Sequence, residues 1–406
     1  MHIFVSAGEP SGDHHGADLI RALRARRPDA TFAGFGGPLM KEAGATLLFP
    51  LVDLAVMWFL RVLLNIRTFL GVVKQADEYF RDARPDAVVL IDYPGLHWWI
   101  ARKAKARGIP VFYYVPPQLW AWAGWRVKKV QKFVDHVLCS LPFEPEWYHA
   151  RGVPQARYVG HPYFDELSHR VIDSDFVLAE KAKGGPVVAI LPGSRTQELL
   201  RNLPIMLRAA RRLHATRPDI RFVITCLHER HRTMAEAMVR DQASGLPLTL
   251  HAGRTPELIR VADVAWAVSG SVGLELLMEA LPTVVLYKIR RIDLIIARPF
   301  IKARFISLVN LLAGEELMPE FLTDRDVSAE LVRWASRWLN DPSERSAASA
   351  RLAALRDRVA VPGASGRAAD AILAALTTPS SPSPYRGMHA TEPSRVKDHP
   401  HATGSA

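Results

Sequence analysis

Short apolar runs alternate with amphipathic stretches along most of this chain, and the alternation predicts strands followed by helices. The first run, His2 to Ser6, leads into Ala7-Gly-Glu-Pro-Ser-Gly-Asp13, after which Gly16, Leu19, Ile20 and Leu23 recur at the spacing of one helical face. Thr31 to Phe35, Ala87 to Ile91 and Pro110 to Val115 read as further strands. The second half repeats the scheme with Val187 to Leu191, Arg221 to Cys226, Leu248 to Leu250, Val264 to Val268 and Thr283 to Tyr287, helical patterns lying between them. Such alternation predicts an α/β fold of doubly wound, mostly parallel sheets, here two Rossmann-like domains facing a central cleft. The polar segment from Asp165 to Pro186 divides the halves, giving a first domain over residues 1–163, a linker over 164–185 and a second domain over 186–376. Residues 377–406 are rich in Ser, Pro, His and Gly without apolar period, and read as a disordered tail.

One stretch breaks the pattern. Leu51 to Leu70 is apolar beyond what one buried helix face requires, yet Asp53, Arg61, Asn65 and Arg67 interrupt it, which argues against a spanning helix. Met57, Trp58, Phe59, Leu60, Leu63 and Leu64, with Arg61, Arg67 and Lys74 close by, suit a helix lying on a membrane surface; a core helix with a dimer face is the other reading. The basic-apolar run from Lys288 to Arg304 can cradle lipid phosphates or form an ordinary helix pair with a solvated basic face.

Composition narrows this picture only a little. With 406 residues, 49% of them hydrophobic and 23% charged, the chain is globular and long enough for two cores. A net charge of +11 fits an anionic partner, or serves solubility alone. The two cysteines, Cys139 and Cys226, sit in apolar strand-like runs, which fits buried thiols in a reducing cytoplasm; the N-terminus reads as a first strand rather than a signal peptide.

The chemistry gathers where strands end. Leu191-Pro-Gly-Ser-Arg195 follows a strand and precedes a helix starting near Gln197, so Gly193, Ser194 and the forked cation of Arg195 form an expected phosphate site. In the first loop, Gly8 and Gly12 allow close approach of a ligand, with Glu9, Ser11 and Asp13 beside them; Ser11 or Asp13 can instead cap the following helix. The loop lacks the G-x-G-x-x-G spacing, so no nicotinamide or flavin cofactor is expected. Asp92 closes the strand Val88 to Asp92 and reads either as a general base in the cleft or as a turn-capping residue before Pro94-Gly95. Ser269, Gly270 and Ser271 open a helix whose N-terminus can meet a diphosphate, and Glu275, a turn further on, can accept from ribose hydroxyls; helix capping is compatible with both. Trp120, Trp122 and Trp125 suit a wall for sugar or acyl chains better than a nucleic-acid patch, and some of them a core. No zinc-binding histidine spacing or G-x-S-x-G elbow occurs, so no metal site is expected.

Taken together, Ala7 to Asp13, Leu54-Ala-Val-Met57, Trp120-Ala-Trp122, Leu141-Pro-Phe-Glu144, Gly160-His161, Leu191 to Arg195, Ser269-Gly270 with Leu274-Glu275, and Ser307 to Gly314 resemble the lipid-A-disaccharide synthases, glycosyltransferases of the two-Rossmann GT-B architecture, over the chain to about residue 376. The resemblance implies a catalytic Asp92, a functional Arg195 and a functional Asn310. It implies transfer, with inversion, from UDP-2,3-diacylglucosamine to 2,3-diacylglucosamine 1-phosphate (lipid X), giving the β-1,6 disaccharide precursor of lipid A and UDP, with no cofactor. It further implies peripheral attachment to the inner face of the inner membrane through the patch that includes Met57, no nucleic-acid partner, and a homodimer. The chain departs from the family pattern at Val115-Pro-Pro-Gln118, at Tyr93-Pro-Gly-Leu-His97 and at Pro162, near the expected acceptor side. Alternatives are a transferase with another lipid acceptor, a UDP-N-acetylglucosamine 2-epimerase, or a non-catalytic membrane-bound binder of lipid or nucleic acid.

Overall fold

The computed structural model describes residues 1–55, 66–297 and 303–377. The expected membrane residues Met57, Trp58, Phe59, Leu60, Leu63 and Leu64, and the tail beyond Thr377, lie outside the described residues.

Thirteen strands form two parallel sheets among the described residues. The first sheet contains β1 (His2–Ala7), β2 (Thr31–Phe35), β3 (Ala45–Phe49), β4 (Ala87–Ile91), β5 (Val111–Tyr114), β6 (His136–Cys139) and β7 (Ala156–Tyr158), in the order β3-β2-β1-β4-β5-β6-β7. The second contains β8 (Val187–Leu191), β9 (Arg221–Cys226), β10 (Leu248–Ala252), β11 (Val264–Val268), β12 (Thr283–Lys288) and β13 (Glu320–Thr323), in the order β10-β9-β8-β11-β12-β13. Both faces of each sheet are covered. Phe4 of β1 packs into one core, while its neighbours Ile3 and Val5 pack into the core on the opposite face. Burial on both faces explains why these strands read as unbroken apolar runs. The sequence pattern located nine of the thirteen strands by range, and the apolar run around Cys139 corresponds to β6. The other three, β3, β7 and β13, are edge strands whose partly exposed positions break the apolar run. Cys139 and Cys226 are buried free thiols at the ends of β6 and β9.

The division between the domains differs from the expected one at its far end, and the linker carries structure of its own. The linker is largely helical, with helices Tyr163–His169 and Ser174–Ala182, the second capped by Asp173 through Phe176 N–H at 3.0 Å. The last helix, Ala364–Thr377, belongs to the first domain: Ala368, Ala369, Ala371 and Ile372 join the core with Ile3, Val5, Leu19 and Ile20. Asp165 holds this return, its carboxylate accepting from the N–H groups of Gly363 (2.6 Å), Ala364 (3.0 Å) and Ser365 (2.8 Å). A carboxylate on the exposed amides of a helix start is a favourable cap. The stretch from Pro342 to Thr377 is long and apolar enough to cross a membrane, but its helices break at residues 360–363, and Leu352, Leu355, Val359, Ala368 and Ile372 are buried in the cores.

Candidate active site

In open parallel sheets, ligands bind beyond the carboxyl ends of strands where the strand order reverses. The first sheet reverses between β1 and β4, whose ends carry the loop from Gly8 to Asp13 and Asp92. The second reverses between β8 and β11, whose ends carry Pro192 to Arg195 and Ser269 to Ser271. The two sides sense each other electrostatically: Arg195 acts on Asp92, and Glu9 acts on both.

Asp92 and Tyr93 sit back to back in the left-handed region, with φ of 49° and 47°. For residues with a Cβ this conformation costs roughly 1–2 kcal/mol each and persists only where surroundings enforce it. Here they do. The Asp92 carbonyl accepts from His97 Nδ1 at 2.7 Å and from the Tyr113 hydroxyl at 2.9 Å. The Tyr93 ring lies over Gly8, where any Cβ would come within 2.3 Å of it, so the glycine is required for this close approach. Burial pushes the Asp92 carboxyl up to about 6; the charge of Glu9 pushes the same way, and the Tyr93 N–H and Arg195 pull it back only in part. A carboxylate with that value is mostly ionised at neutral pH and basic enough to take a proton from a hydroxyl as it attacks.

The opposite wall is more open. Arg195 precedes helix Thr196–Thr216 and is 65% exposed. Glu198, one turn along, accepts from the N–H groups of Ser194 (3.1 Å) and Arg195 (3.2 Å) and from Arg195 Nη1 (3.1 Å). The turn thus gathers backbone donors and a guanidinium on one anionic group, as expected for an anion site, and in this structure that group is a carboxylate of the chain itself. Gly193, at φ +115°, leaves the room Glu198 needs, since a Cβ there would meet its side chain at 2.5 Å. Glu198 is a residue the motif reading passed over, although an acid three positions into a helix is a recognised capping signal.

Several expected ligand-binding residues have structural tasks. Asp13 is buried and caps a different helix from the one expected, accepting from Gly37 N–H (2.9 Å), Leu39 N–H (3.0 Å) and Met40 N–H (3.1 Å) at the start of Pro38–Glu42. Asn310 is fully buried, and both ends of its amide are used: Nδ2 donates to Met318 O (2.7 Å) and Glu320 Oε2 (2.9 Å), and Oδ1 accepts from Leu317 and Met318 N–H, both at 2.9 Å. It organises a loop and points no polar atom into the cleft. Ser269 donates to Ile306 O at 2.6 Å, while Ser271 precedes helix Val272–Met278 without a side-chain cap. Gly270 and Ser271 are exposed at that helix start. Glu275 accepts from the Tyr163 hydroxyl and from Arg170 Nη1 (2.5 Å), tying the second domain to the connecting segment. Gly12 is buried against Ala7, where a Cβ would meet it at 3.3 Å, while Ser11 is exposed.

The tryptophans divide by role. Trp120 is half-buried, its Nε1 donating to Glu144 at 3.1 Å, and burial pushes the Glu144 carboxyl up to about 7. Trp122 is 42% exposed, with the Arg126 guanidinium 4.8 Å from its ring centre. His97, one of the departures on the expected acceptor side, is fully buried and turned inward.

Two Rossmann-like domains with their switch points across one cleft define a GT-B enzyme. Solved structures of the same fold include the UDP-GlcNAc 2-epimerase from Neisseria meningitidis bound to UDP-GlcNAc (TM-score 0.65, 13% identity, 92% of this chain and 100% of that one). Another is Anabaena HepE in complex with UDP-glucose (TM-score 0.57, 14% identity, 92% and 99%). At these identities the likeness establishes the fold alone. The sequence goes further: residues 3–357 match the model of the lipid-A-disaccharide synthetase family, and the chain belongs to that family. It is 38% identical over 377 residues to the lipid-A-disaccharide synthase of Myxococcus xanthus, covering 92% of this chain and 97% of that protein. The synthase of Pseudomonas entomophila is 37% identical over 373 residues, covering 91% and 97%. The chain is therefore a glycosyltransferase of lipid A biosynthesis, and the epimerase reading is not favoured.

Proposed function

We propose that the chain transfers 2,3-diacylglucosamine from its UDP conjugate to 2,3-diacylglucosamine 1-phosphate with inversion at the anomeric carbon. The observation that carries this reading is the half-buried, left-handed Asp92, with its raised pKa, set across the cleft from Arg195. The first domain takes the acceptor and the second the nucleotide sugar. Asp92 accepts the proton of the acceptor 6-hydroxyl as that oxygen bonds to the anomeric carbon. The bond from that carbon to the diphosphate breaks, and its electron pair leaves with UDP. Negative charge grows on the diphosphate, where Arg195, the Ser194 N–H and the helix start at Gly270 and Ser271 lower its energy; one such donor is worth about 3 kcal/mol in a transition state. Glu275 keeps a second lone pair on each oxygen for a ribose hydroxyl. Trp122 flanks the acceptor side, and the enzyme works on the inner face of the inner membrane as a peripheral protein.

The test is incubation with UDP-2,3-diacylglucosamine, with and without the acceptor, followed by mass spectrometry and determination of the new linkage. Acceptor-dependent UDP release with a β-1,6 disaccharide supports the reading. Interconversion of the UDP-sugar without acceptor, or a disaccharide of retained configuration, overturns it.

A further inference from the structure

The proposed base hangs on a network that no sequence motif announced. His97 is fully buried, and its two ring nitrogens are both engaged: Nδ1 lies 2.7 Å from the Asp92 carbonyl oxygen and Nε2 lies 2.9 Å from Ser6 Oγ. A carbonyl oxygen only accepts, so Nδ1 carries the proton and Nε2 accepts from the Ser6 hydroxyl. Burial lowers the His97 pKa to about 4, which keeps the ring neutral and this tautomer in place at working pH. Tyr113, also fully buried, donates to the same carbonyl at 2.9 Å. Two donors from β5 and helix Pro94–Ala106, braced on β1 through Ser6, therefore grip the backbone of Asp92 at the left-handed turn that follows β4.

We propose that His97 and Tyr113 are positioning residues that hold the Asp92–Tyr93 turn in its left-handed form and thereby aim the Asp92 carboxylate at the acceptor hydroxyl. This rests on Asp92 being the base. Neither residue touches substrate. Release of the carbonyl lets the turn relax toward an ordinary conformation, moves the carboxylate off line, and leaves the nucleotide side of the cleft unchanged. The predicted signature is a loss in kcat with the donor KM preserved, since a displacement of about 1 Å from productive geometry is worth up to about 100-fold in rate.

The test measures kcat and donor KM for His97→Ala, His97→Leu, His97→Asn and Tyr113→Phe, alone and with Asp92→Ala. His97→Ala and His97→Leu lower kcat about 10- to 100-fold. The Asn side-chain nitrogen stands the same number of bonds from the backbone as His Nδ1, so His97→Asn donates to the same carbonyl and recovers most of the loss. Tyr113→Phe removes one hydroxyl from an otherwise intact core and lowers kcat about 3- to 10-fold, the equivalent of one hydrogen bond. With Asp92→Ala in place, none of these changes lowers the residual rate further. An Asn variant no better than the Ala variant, a loss carried by KM, or losses that multiply with Asp92→Ala would each overturn the proposal. Full turnover in Asp92→Ala alone instead removes the base assignment, and the inference falls with it.

Discussion

The two sides of the cleft are built on the same topology and prepared for chemistry in opposite ways. At the β1/β4 switch point the reactive group is half-buried, the backbone is strained, and the donors that hold it are fully enclosed. At the β8/β11 switch point the principal cation is two-thirds exposed and its donors rest on a carboxylate of the same chain. The difference teaches where preorganisation matters. A base must be on line before the acceptor arrives, and its raised pKa comes from burial that a flexible loop cannot supply. A diphosphate brings its own charge and can displace a weaker internal anion to complete its site.

The sharpest way to break this contrast is to remove each side in turn. Asp92→Ala lowers kcat about 1,000-fold or more, within the span of general base catalysis, and leaves UDP affinity unchanged by calorimetry. Arg195→Ala lowers kcat about 100- to 1,000-fold and weakens UDP binding as well, because its charge meets the diphosphate in ground and transition states alike. Equal loss of UDP binding in both variants would dissolve the contrast. A smaller effect separates structure from chemistry: Asn310→Ala strands buried donors and acceptors and destabilises the fold by about 3 kcal/mol, so its activity falls with melting temperature and is normal per folded molecule. Slighter still, Glu198→Ala frees the Ser194 and Arg195 N–H groups and tightens UDP binding a few-fold, while losing a helix cap worth about 1 kcal/mol. Weaker UDP binding in that variant would make Glu198 part of the diphosphate site rather than its stand-in.

Much of this was legible in the sequence. Strands buried on both faces announce themselves as unbroken apolar runs, and the loops that follow them gather small and charged residues, so Asp92, Arg195 and the Ser269 to Ser271 turn read as candidates at strand ends, and the fold places them at the two switch points. Edge strands, exposed in part, carry too few apolar positions to register. The return of helix Ala364–Thr377 to the first domain was hidden because its docking depends on Asp165, nearly two hundred residues away in sequence. Asn310 and Asp13 look like ligand residues in a linear motif; only three dimensions show their polar atoms already spent on backbone groups and, for Asn310, on the Glu320 carboxylate as well. His97 shows the reverse error. It reads as a departure on the acceptor side, yet it lies inside, and nothing in its spacing from Asp92 reveals that its ring meets the Asp92 carbonyl.

The central claim is a base poised by partial burial at the β1/β4 switch point, and the pH dependence of turnover at low substrate concentration, which reports the free enzyme, tests it most directly. Asp92 must be ionised to accept a proton, and its pKa stands raised to about 6, so turnover is suppressed in acid and lost as Asp92 takes up its proton. With both substrates well below saturation, the rate constant should rise through a single ionisation near pH 6 and level off above it. A flat profile, or a limb at the ordinary carboxylate value near 4, would contradict the account.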